Sequence, residues 1–161
     1  MPYETILYER DGAIATITLN RPERLNTIVP PMPDELERAV IEANRDPEVR
    51  VIILRGAGRS FCAGFDFSDD FVHFKDLLST DGRWDPGKDF IGATSSFAGP
   101  VPKFMSMWRS PKPVIAQVHG WCVGGGSDMA LCADLVIAAA SLPLSGSPVS
   151  ACHLARVRPK R

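Results

Sequence analysis

The chain has 161 residues, a net charge of −1 and 45% hydrophobic residues, which is enough apolar content for the core of one domain. The near-neutral charge provides no basic field for nucleic acid or an anionic membrane surface, and no apolar run is long enough to span a bilayer. The first residues lack the basic and apolar regions of a signal peptide, so we expect a cytoplasmic protein.

The cysteines also favour a reducing compartment. They show no C-x-x-C spacing, and three of the four lie among apolar or small residues. We therefore expect reduced thiols that pack in the interior of a cytosolic protein. They are Cys62, Cys122, Cys132 and Cys152.

The N-terminal part of the chain predicts a hairpin, a loop and a helix. Apolar residues alternate with threonine or charged residues over residues 3–9 and 13–20, and the Arg-Asp-Gly between them predicts an Asp-Gly turn. A polar loop that contains a proline follows over residues 20–27. Apolar residues at helical spacing then predict a helix over residues 34–44, preceded by Pro33.

The middle of the chain has one strong strand pattern. The continuous apolar run over residues 49–54 predicts a strand buried on both faces, and residues 56–66 follow it as a glycine-rich loop. Residues 70–78 are compatible with a short helix, and the breakers in residues 80–87 indicate irregular structure. Residues 90–109 contain scattered aromatic residues and methionines and predict a helix that two prolines interrupt.

The next segment repeats the order strand, glycine turn, helix. The short β-branched run over residues 113–118 predicts a buried strand, and the glycines 124–126 mark a turn. A helix over residues 125–133 and a strand over residues 134–137 follow. Because the same order occurs twice, we predict an α/β layer fold with ligand-binding loops at the strand ends.

The C-terminal residues have a different composition. Residues 141–161 combine serine, proline and alanine and contain four basic residues and no acidic residue. They show no helical or strand period, which predicts a solvated, disordered tail. We therefore expect a folded core within residues 1–140.

Several common ligand motifs fail on spacing. Gly56-x-Gly58 opens like a dinucleotide loop, but the third glycine position is Phe61, and neither glycine loop ends in the Gly-Lys-Ser/Thr of a phosphate loop. Ser127 lacks the final glycine of a serine nucleophile elbow. The histidines are too far apart to form a metal-binding pair, so we predict no metal site. They are His73, His119 and His153.

Two glycine loops that each follow a buried strand can bring two backbone N–H groups together. A helix N-terminus adds unpaired N–H groups and partial positive charge. Such a pair forms an oxyanion hole for the enolate or tetrahedral oxyanion of a thioester, and one donor lowers the barrier by about 3–4 kcal/mol. Asp128, in the first turn of the predicted helix, can then transfer a proton.

Four ordered segments carry a specific pattern. They are Asn-Arg-Pro-Glu-Arg-Leu-Asn at 20–26, Ser-Phe-Cys-Ala-Gly-Phe-Asp at 60–66, Lys-Pro-Val-Ile-Ala-Gln-Val-His-Gly at 112–120 and Gly-Gly-Gly-Ser-Asp-Met-Ala-Leu-Cys-Ala-Asp-Leu-Val at 124–136. In order and spacing these segments resemble the crotonase superfamily, whose best-known member is enoyl-CoA hydratase. The resemblance implies a spiral of β-β-α units, an acyl-CoA ligand and a homotrimer or hexamer. It implies no cofactor other than the coenzyme A part of the substrate.

The resemblance also assigns catalytic roles. The backbone N–H groups of Phe65 and Gly125 would be the oxyanion donors, and the Phe65 ring would pack near the thioester. Asp128 aligns with the first catalytic carboxylate of the hydratases, which is normally glutamate. Because aspartate is one methylene shorter, proton transfer by Asp128 would need a shifted backbone, a bridging water or a different substrate.

The coenzyme A path would run along the loops that carry these donors. Arg24 matches a basic position near the coenzyme A phosphates, and a solvated loop charge is the alternative interpretation of this arginine. The residues expected to border the path are Arg24, Leu25, Ala63, Gly64, Asp66 and Gly124.

Hydratases of this superfamily use a second carboxylate in the following β-α unit. No acid of this chain matches that position, and the resemblance ends near Ala138. We therefore expect a crotonase core that is incomplete at its C-terminus, with an exposed apolar face on the last strand and helix. The leading hypothesis is an enoyl-CoA hydratase/isomerase-like protein whose complete form hydrates a 2-enoyl-CoA. The alternatives are another crotonase reaction, such as isomerase or dehydratase chemistry, and an acyl-CoA-binding remnant without turnover.

Overall fold

A five-stranded sheet organises the fold. The computed structural model describes residues 2–66, 79–94 and 99–139. The sheet contains β1 (Ile6–Asp11), β2 (Ile14–Leu19), β3 (Val51–Gly56), β6 (Val114–Val118) and β7 (Leu135–Ala138), in that spatial order, and a separate hairpin contains β4 (Ser79–Thr80) and β5 (Arg83–Trp84). β1 pairs with β2 in antiparallel orientation, and the other pairs of the sheet are parallel.

Four helices and one short turn connect these strands in the described residues. They are a 3₁₀ turn (Pro22–Arg24), α1 (Met32–Arg45), α2 (Pro86–Thr94), α3 (Pro100–Trp108) and α4 (Gly125–Leu131). Helix α1 packs against α3, and α3 contacts α4. The strands and helices α1, α3 and α4 share one buried apolar core, as the α/β prediction requires. No helix in these described segments is long and apolar enough to cross a bilayer.

The core lies on one face of the sheet. Ile17 pairs with Leu54, Leu54 with Ala116 and Ala116 with Val136, so these four side chains form one row across the strands. All of them are buried, and complete burial of a side chain such as leucine contributes about 1.5–3 kcal/mol. The helices cover this row, which fixes the positions of the strand ends.

The prediction that the third strand is buried on both faces is wrong. Ile52 and Leu54 are buried, but Val51 and Ile53, on the opposite face, are only half-buried. The described helices do not cover this second face completely, and a continuous apolar run does not distinguish the two cases.

The hairpin and the first helix are confirmed with shifted ends. Asp11 pairs with Ile14, so Gly12 and Ala13 form the turn instead of Asp11 and Gly12, and Gly12 has the positive φ that a type II′ turn requires. Helix α1 begins two residues before the predicted start, with Pro33 inside its first turn. Proline is tolerated there because the first helical N–H groups have no intrahelical partner.

The same rule explains the interrupted helix predicted over residues 90–109. Pro100 and Pro102 both lie in the first turn of α3, so they begin a helix instead of breaking one. Two short strands and the start of α2 occupy residues 80–87, where irregular structure was expected. The predicted helix 70–78 and the predicted tail 141–161 lie outside the described residues.

The expected apolar exposure near the end of the core is confirmed. Leu131 on α4 is 43% exposed and Ile137 on β7 is 53% exposed. Strand β7 is also an edge strand of the sheet, so its second edge has no partner strand among the described residues.

Candidate functional site

Two turns meet at the carboxyl edge of the sheet. Strands β3 and β6 are parallel neighbours, so the first turn (residues 57–66) and the second turn (residues 119–124) leave the sheet on the same side. Backbone hydrogen bonds join them directly: the Cys62 N–H donates to the Trp121 carbonyl at 2.9 Å, and the Val123 N–H donates to the Cys62 carbonyl at 3.1 Å. This edge is where open α/β sheets usually bind ligands.

The two turns touch where the residues lack side chains. A Cβ on Gly64 would lie 2.9 Å from the Val123 carbonyl oxygen, and the φ of Gly64 is +95°. A Cβ on Gly125 would lie 2.5 Å from the Phe65 ring. Both contacts are too short for a side chain, so glycine is required for this close approach.

The direction of the Phe65 amide is set by its own peptide unit. The Ile28 N–H donates to the Gly64 carbonyl at 2.8 Å. Because a trans peptide is planar, the Phe65 N–H points in the opposite direction to the Gly64 carbonyl. The Phe65 N–H is therefore directed away from the loop that contains Ile28.

The direction of the Gly125 amide is set in the same way by helix α4. The Gly124 carbonyl accepts hydrogen bonds from the Ser127 N–H at 2.8 Å and the Asp128 N–H at 3.1 Å, so it points into the helix. The Gly125 N–H consequently points out of the helix N-terminus. The Cβ position of Gly64 lies only 3.9 Å from the Gly125 nitrogen, so the two amides belong to one small region.

Asn26 anchors the first turn to the preceding loop. This side chain is completely buried; its amide nitrogen donates to the carbonyls of Ala57 and Ser60, both at 2.8 Å, and its oxygen accepts from the Arg21 N–H at 2.8 Å. The sequence predicts a polar loop at residues 20–27, and the resemblance places Arg24 and Leu25 on the coenzyme A path, but neither predicts this role of Asn26. An asparagine in such a loop is compatible with a turn residue, and nothing in the sequence indicates that it is buried.

Asp66 lies in a buried ion pair. Its carboxylate oxygen Oδ2 is 3.1 Å from Arg21 Nη1 and accepts a hydrogen bond from the Thr27 hydroxyl at 3.1 Å. Arg21 Nη1 also donates to the Thr27 carbonyl at 2.7 Å. The contact of Asp66 with coenzyme A stays a prediction, and the carboxylate has a clear structural use at this position.

The other residues of the expected coenzyme A path lie around the two turns. The Leu25 carbonyl accepts a hydrogen bond from the Ala63 N–H at 3.0 Å. Arg24 is exposed, so its two interpretations both stay open. Gly124 is exposed and has no atom within 4 Å of a Cβ position, so open space adjoins the site there.

Asp128 is a carboxylate on the helix that begins at Gly125. It lies in the first turn of α4 and is partly exposed. Burial of part of the side chain raises the pKa of Asp128 above its ordinary value, because desolvation disfavours the charged form. A raised pKa makes this carboxyl group hold its proton more tightly than an ordinary aspartate does, which suits general acid–base catalysis.

The described cysteines and histidine have structural roles. Cys62, Cys122 and Cys132 are free thiols, as expected, and burial raises the pKa of Cys62 to about 11, so this thiol is unreactive. His119 Nε2 lies 2.8 Å from the Gly58 carbonyl oxygen. Within the described residues no three His, Cys, Asp or Glu side chains are grouped as metal ligands. The remaining candidates, His73, Cys152 and His153, lie outside the described part of the chain.

Comparisons with known proteins agree with this architecture. The sequence profile of the enoyl-CoA hydratase/isomerase family matches residues 14–145. The chain is 38% identical over 130 residues to a mevalonyl-coenzyme A hydratase of Beauveria bassiana, covering 80% of this chain and 43% of that protein. It is 37% identical over 138 residues to a 1,2-epoxyphenylacetyl-CoA isomerase of Escherichia coli, covering 86% of this chain and 48% of that protein.

A solved structure shows the same fold. An enoyl-CoA hydratase from Mycobacterium smegmatis superposes with a TM-score of 0.73 at 39% identity, covering 88% of this chain and 49% of that chain. The chain therefore spans about half the length of the curated relatives that it matches. The predicted crotonase-like α/β fold is confirmed, and the chain belongs to the enoyl-CoA hydratase/isomerase family of the crotonase superfamily.

Proposed function

We propose that the protein binds an acyl-CoA thioester and stabilises its enolate with the backbone N–H groups of Phe65 and Gly125. The observation that carries this proposal is the convergence of the two turns, with the Cβ position of Gly64 at 3.9 Å from the Gly125 nitrogen. Each N–H has a fixed direction, because the carbonyl of the same peptide unit is hydrogen-bonded on its other side. Donors held in advance stabilise developing charge without reorganisation.

In this proposal Asp128 moves the proton. Its raised pKa and its position beside the Gly125 amide support the role. In the complete protein the reaction would be hydration of a 2-enoyl-CoA, in which water adds to C3 and a proton to C2 through the enolate. The relatives include a hydratase and an isomerase, and both names are compatible with enolate stabilisation by the same two amides.

A second candidate function is acyl-CoA binding without turnover. Among the described residues, burial is the only cause that raises the pKa of Asp128, and no other carboxylate contributes. A hydratase reaction that divides the work between two carboxylates would need a second one that does not act on Asp128 within the described residues. Crotonyl-CoA hydration measured beside coenzyme A ester binding separates the two functions, since binding without turnover supports only the second.

The donor role of Gly125 can be tested with a matched pair of variants. Phe65→Ala removes the ring that a Cβ at position 125 would meet at 2.5 Å. The remaining contact, 2.8 Å to the Ile28 Cδ1 atom, is with the far end of a flexible side chain and is the same for both variants, so Gly125→Ala and Gly125→Pro can both be built on that background. Only the proline lacks the N–H, and it suits the first residue of a helix. We expect the proline variant to hydrate crotonyl-CoA about 10²–10³-fold more slowly than the alanine variant, because this is the usual cost of removing one oxyanion donor.

Two readouts apply to this pair. The first is hydration of crotonyl-CoA, and the second is the near-ultraviolet absorbance of bound acetoacetyl-CoA, whose enolate fraction rises when the thioester oxygen accepts hydrogen bonds. The second readout needs no proton transfer by Asp128, so it tests the donors even in a chain without turnover. Equal enolate absorbance in the two double variants would contradict the proposal.

A further inference from the structure

The ion pair between Arg21 and Asp66 has no role in the function proposed above. Asp66 follows Phe65 directly in the chain, and its side chain is only 9% exposed. A charged pair in this environment is costly unless both partners are well hydrogen-bonded. Here the Thr27 hydroxyl and the Thr27 carbonyl also bind the pair, so the loop at residues 21–27 and the first turn at Asp66 meet at one small cluster.

This cluster supports an isolated contact between two chain segments. Ile28 and Phe65 form a single parallel bridge outside the named strands. The bridge consists of the Ile28 N–H bonded to the Gly64 carbonyl at 2.8 Å and the Asp66 N–H bonded to the Ile28 carbonyl at 3.0 Å. Within the described residues this bridge is isolated, so neighbouring side chains contribute to its geometry. Thr27 and Asp66, the residues linked by the cluster, directly flank this bridge.

We infer that Arg21 and Asp66 are positioning residues that fix the direction of the Phe65 N–H. The ion pair and the Thr27 hydroxyl keep the loop at Thr27 next to Asp66. The Ile28 N–H of this loop then donates to the Gly64 carbonyl. Because the peptide between Gly64 and Phe65 is planar, this hydrogen bond sets the direction of the Phe65 N–H. This inference rests on the proposed function, because it assigns a purpose to the direction of that amide. Neither side chain contacts the thioester in this mechanism.

The test is the variant Asp66→Asn, which keeps the size of the side chain and removes its charge. We expect the enolate fraction of bound acetoacetyl-CoA to fall by about tenfold or more, because small misplacements of a catalytic group have large effects. The affinity for coenzyme A itself should fall much less than the enolate fraction, although Asp66 is also expected to border the coenzyme A path. Arg21→Gln should reproduce this split between enolate formation and coenzyme A binding.

The matched control is Glu35→Gln, another buried carboxylate. Glu35 accepts hydrogen bonds from the Glu4 and Thr5 N–H groups and from the Thr5 hydroxyl, and it holds the N-terminal segment against α1. Its substitution should lower the free energy of unfolding without changing the enolate fraction. If Glu35→Gln and Asp66→Asn reduce the enolate fraction equally, the effect is one of general stability and the inference is wrong.

A second measurement decides the inference without a ligand. In the unliganded chain, amide hydrogen exchange at Ile28 and Asp66, whose N–H groups form the bridge, should be at least about tenfold faster in Asp66→Asn than in the wild type, because local opening controls exchange. Unchanged exchange, or a loss of coenzyme A affinity that matches the loss of enolate, would overturn the inference. A wild-type chain that gives no enolate signal would instead count against the proposed function, and the exchange result would still decide the positioning role.

Discussion

The two turns of the candidate site deliver backbone amides to one edge of the sheet, but different interactions hold them. The first turn is held by side chains of the preceding loop, through Asn26 and the Arg21–Asp66 pair. The second turn is held by the start of helix α4, where the Gly124 carbonyl accepts two helical N–H groups. A backbone donor can therefore be oriented by buried polar side chains or by helix geometry alone.

This difference has a consequence for substitutions. The second turn depends on backbone conformation, so the loss of stability on substituting its glycines should follow the space around each Cα. The first turn depends on side-chain hydrogen bonds as well, so substitution of its polar residues far from the reacting atoms should also lower the free energy of unfolding.

The largest effect is expected where the two turns touch. Gly64→Ala combines an unfavourable backbone conformation, at φ +95°, with a contact of 2.9 Å to the Val123 carbonyl oxygen. Strain of about 1–3 kcal/mol and overpacking of a similar size should together lower the free energy of unfolding by about 4 kcal/mol. Urea unfolding monitored by circular dichroism measures this loss.

The control for this variant is Gly124→Ala in the other turn. Gly124 has a positive φ of +51°, and a Cβ there meets no atom within 4 Å. Only the strain remains, so the loss should be about 2 kcal/mol. Equal losses for the two variants would show that contact between the turns adds nothing to the requirement for glycine.

A smaller effect is expected at Asn26, which holds the first turn. Asn26→Gly preserves the positive φ of +54° and removes three hydrogen bonds. Buried backbone groups left unpaired should lower the free energy of unfolding by about 2–3 kcal/mol. Asn26→Ala should cost about 1 kcal/mol more, since alanine does not adopt this conformation easily. If both variants keep wild-type stability in thermal unfolding, this loop does not anchor the turn.

The sequence was informative about the second turn and incomplete about the first. Three glycines between an apolar strand and a helix predict the backbone at Gly124 and Gly125 from local rules alone. At the first turn, the proposed donor role of Phe65 comes from the family resemblance, and nothing in the sequence predicts the supporting role of Asn26. Burial of a polar residue depends on which distant segments meet, and Ala57 and Ser60 are 31 and 34 residues away from Asn26.

The same limit explains the errors in the fold. Local patterns predicted the hairpin, α1 and the parallel strands to within a few residues. The sequence predicts that Pro100 and Pro102 interrupt a helix. A proline in the first turn cannot be distinguished from a proline in the interior until the first residue of the helix is known. The half-buried face at Val51 and Ile53 was missed, because burial of a strand face depends on what packs against it.

The smallest effect expected concerns Asp128, and its sign separates a functional carboxylate from a structural one. Burial raises the pKa of Asp128 in the folded chain above the ordinary value of 3.8, so the folded state binds the proton more tightly than the unfolded state does. Stability from this group is present below about pH 3.8 and is lost as the pH rises through the folded pKa. Asp128→Asn cannot ionise, so it should be slightly more stable than the wild type at neutral pH, and this advantage should shrink as the pH falls towards 3.8.

Thermal unfolding of Asp128→Asn and the wild type across that pH range measures the difference in stability. A carboxylate that weakens the fold at neutral pH is better explained by a role in chemistry than by stability, whereas a variant less stable at every pH would identify Asp128 as a structural residue of α4.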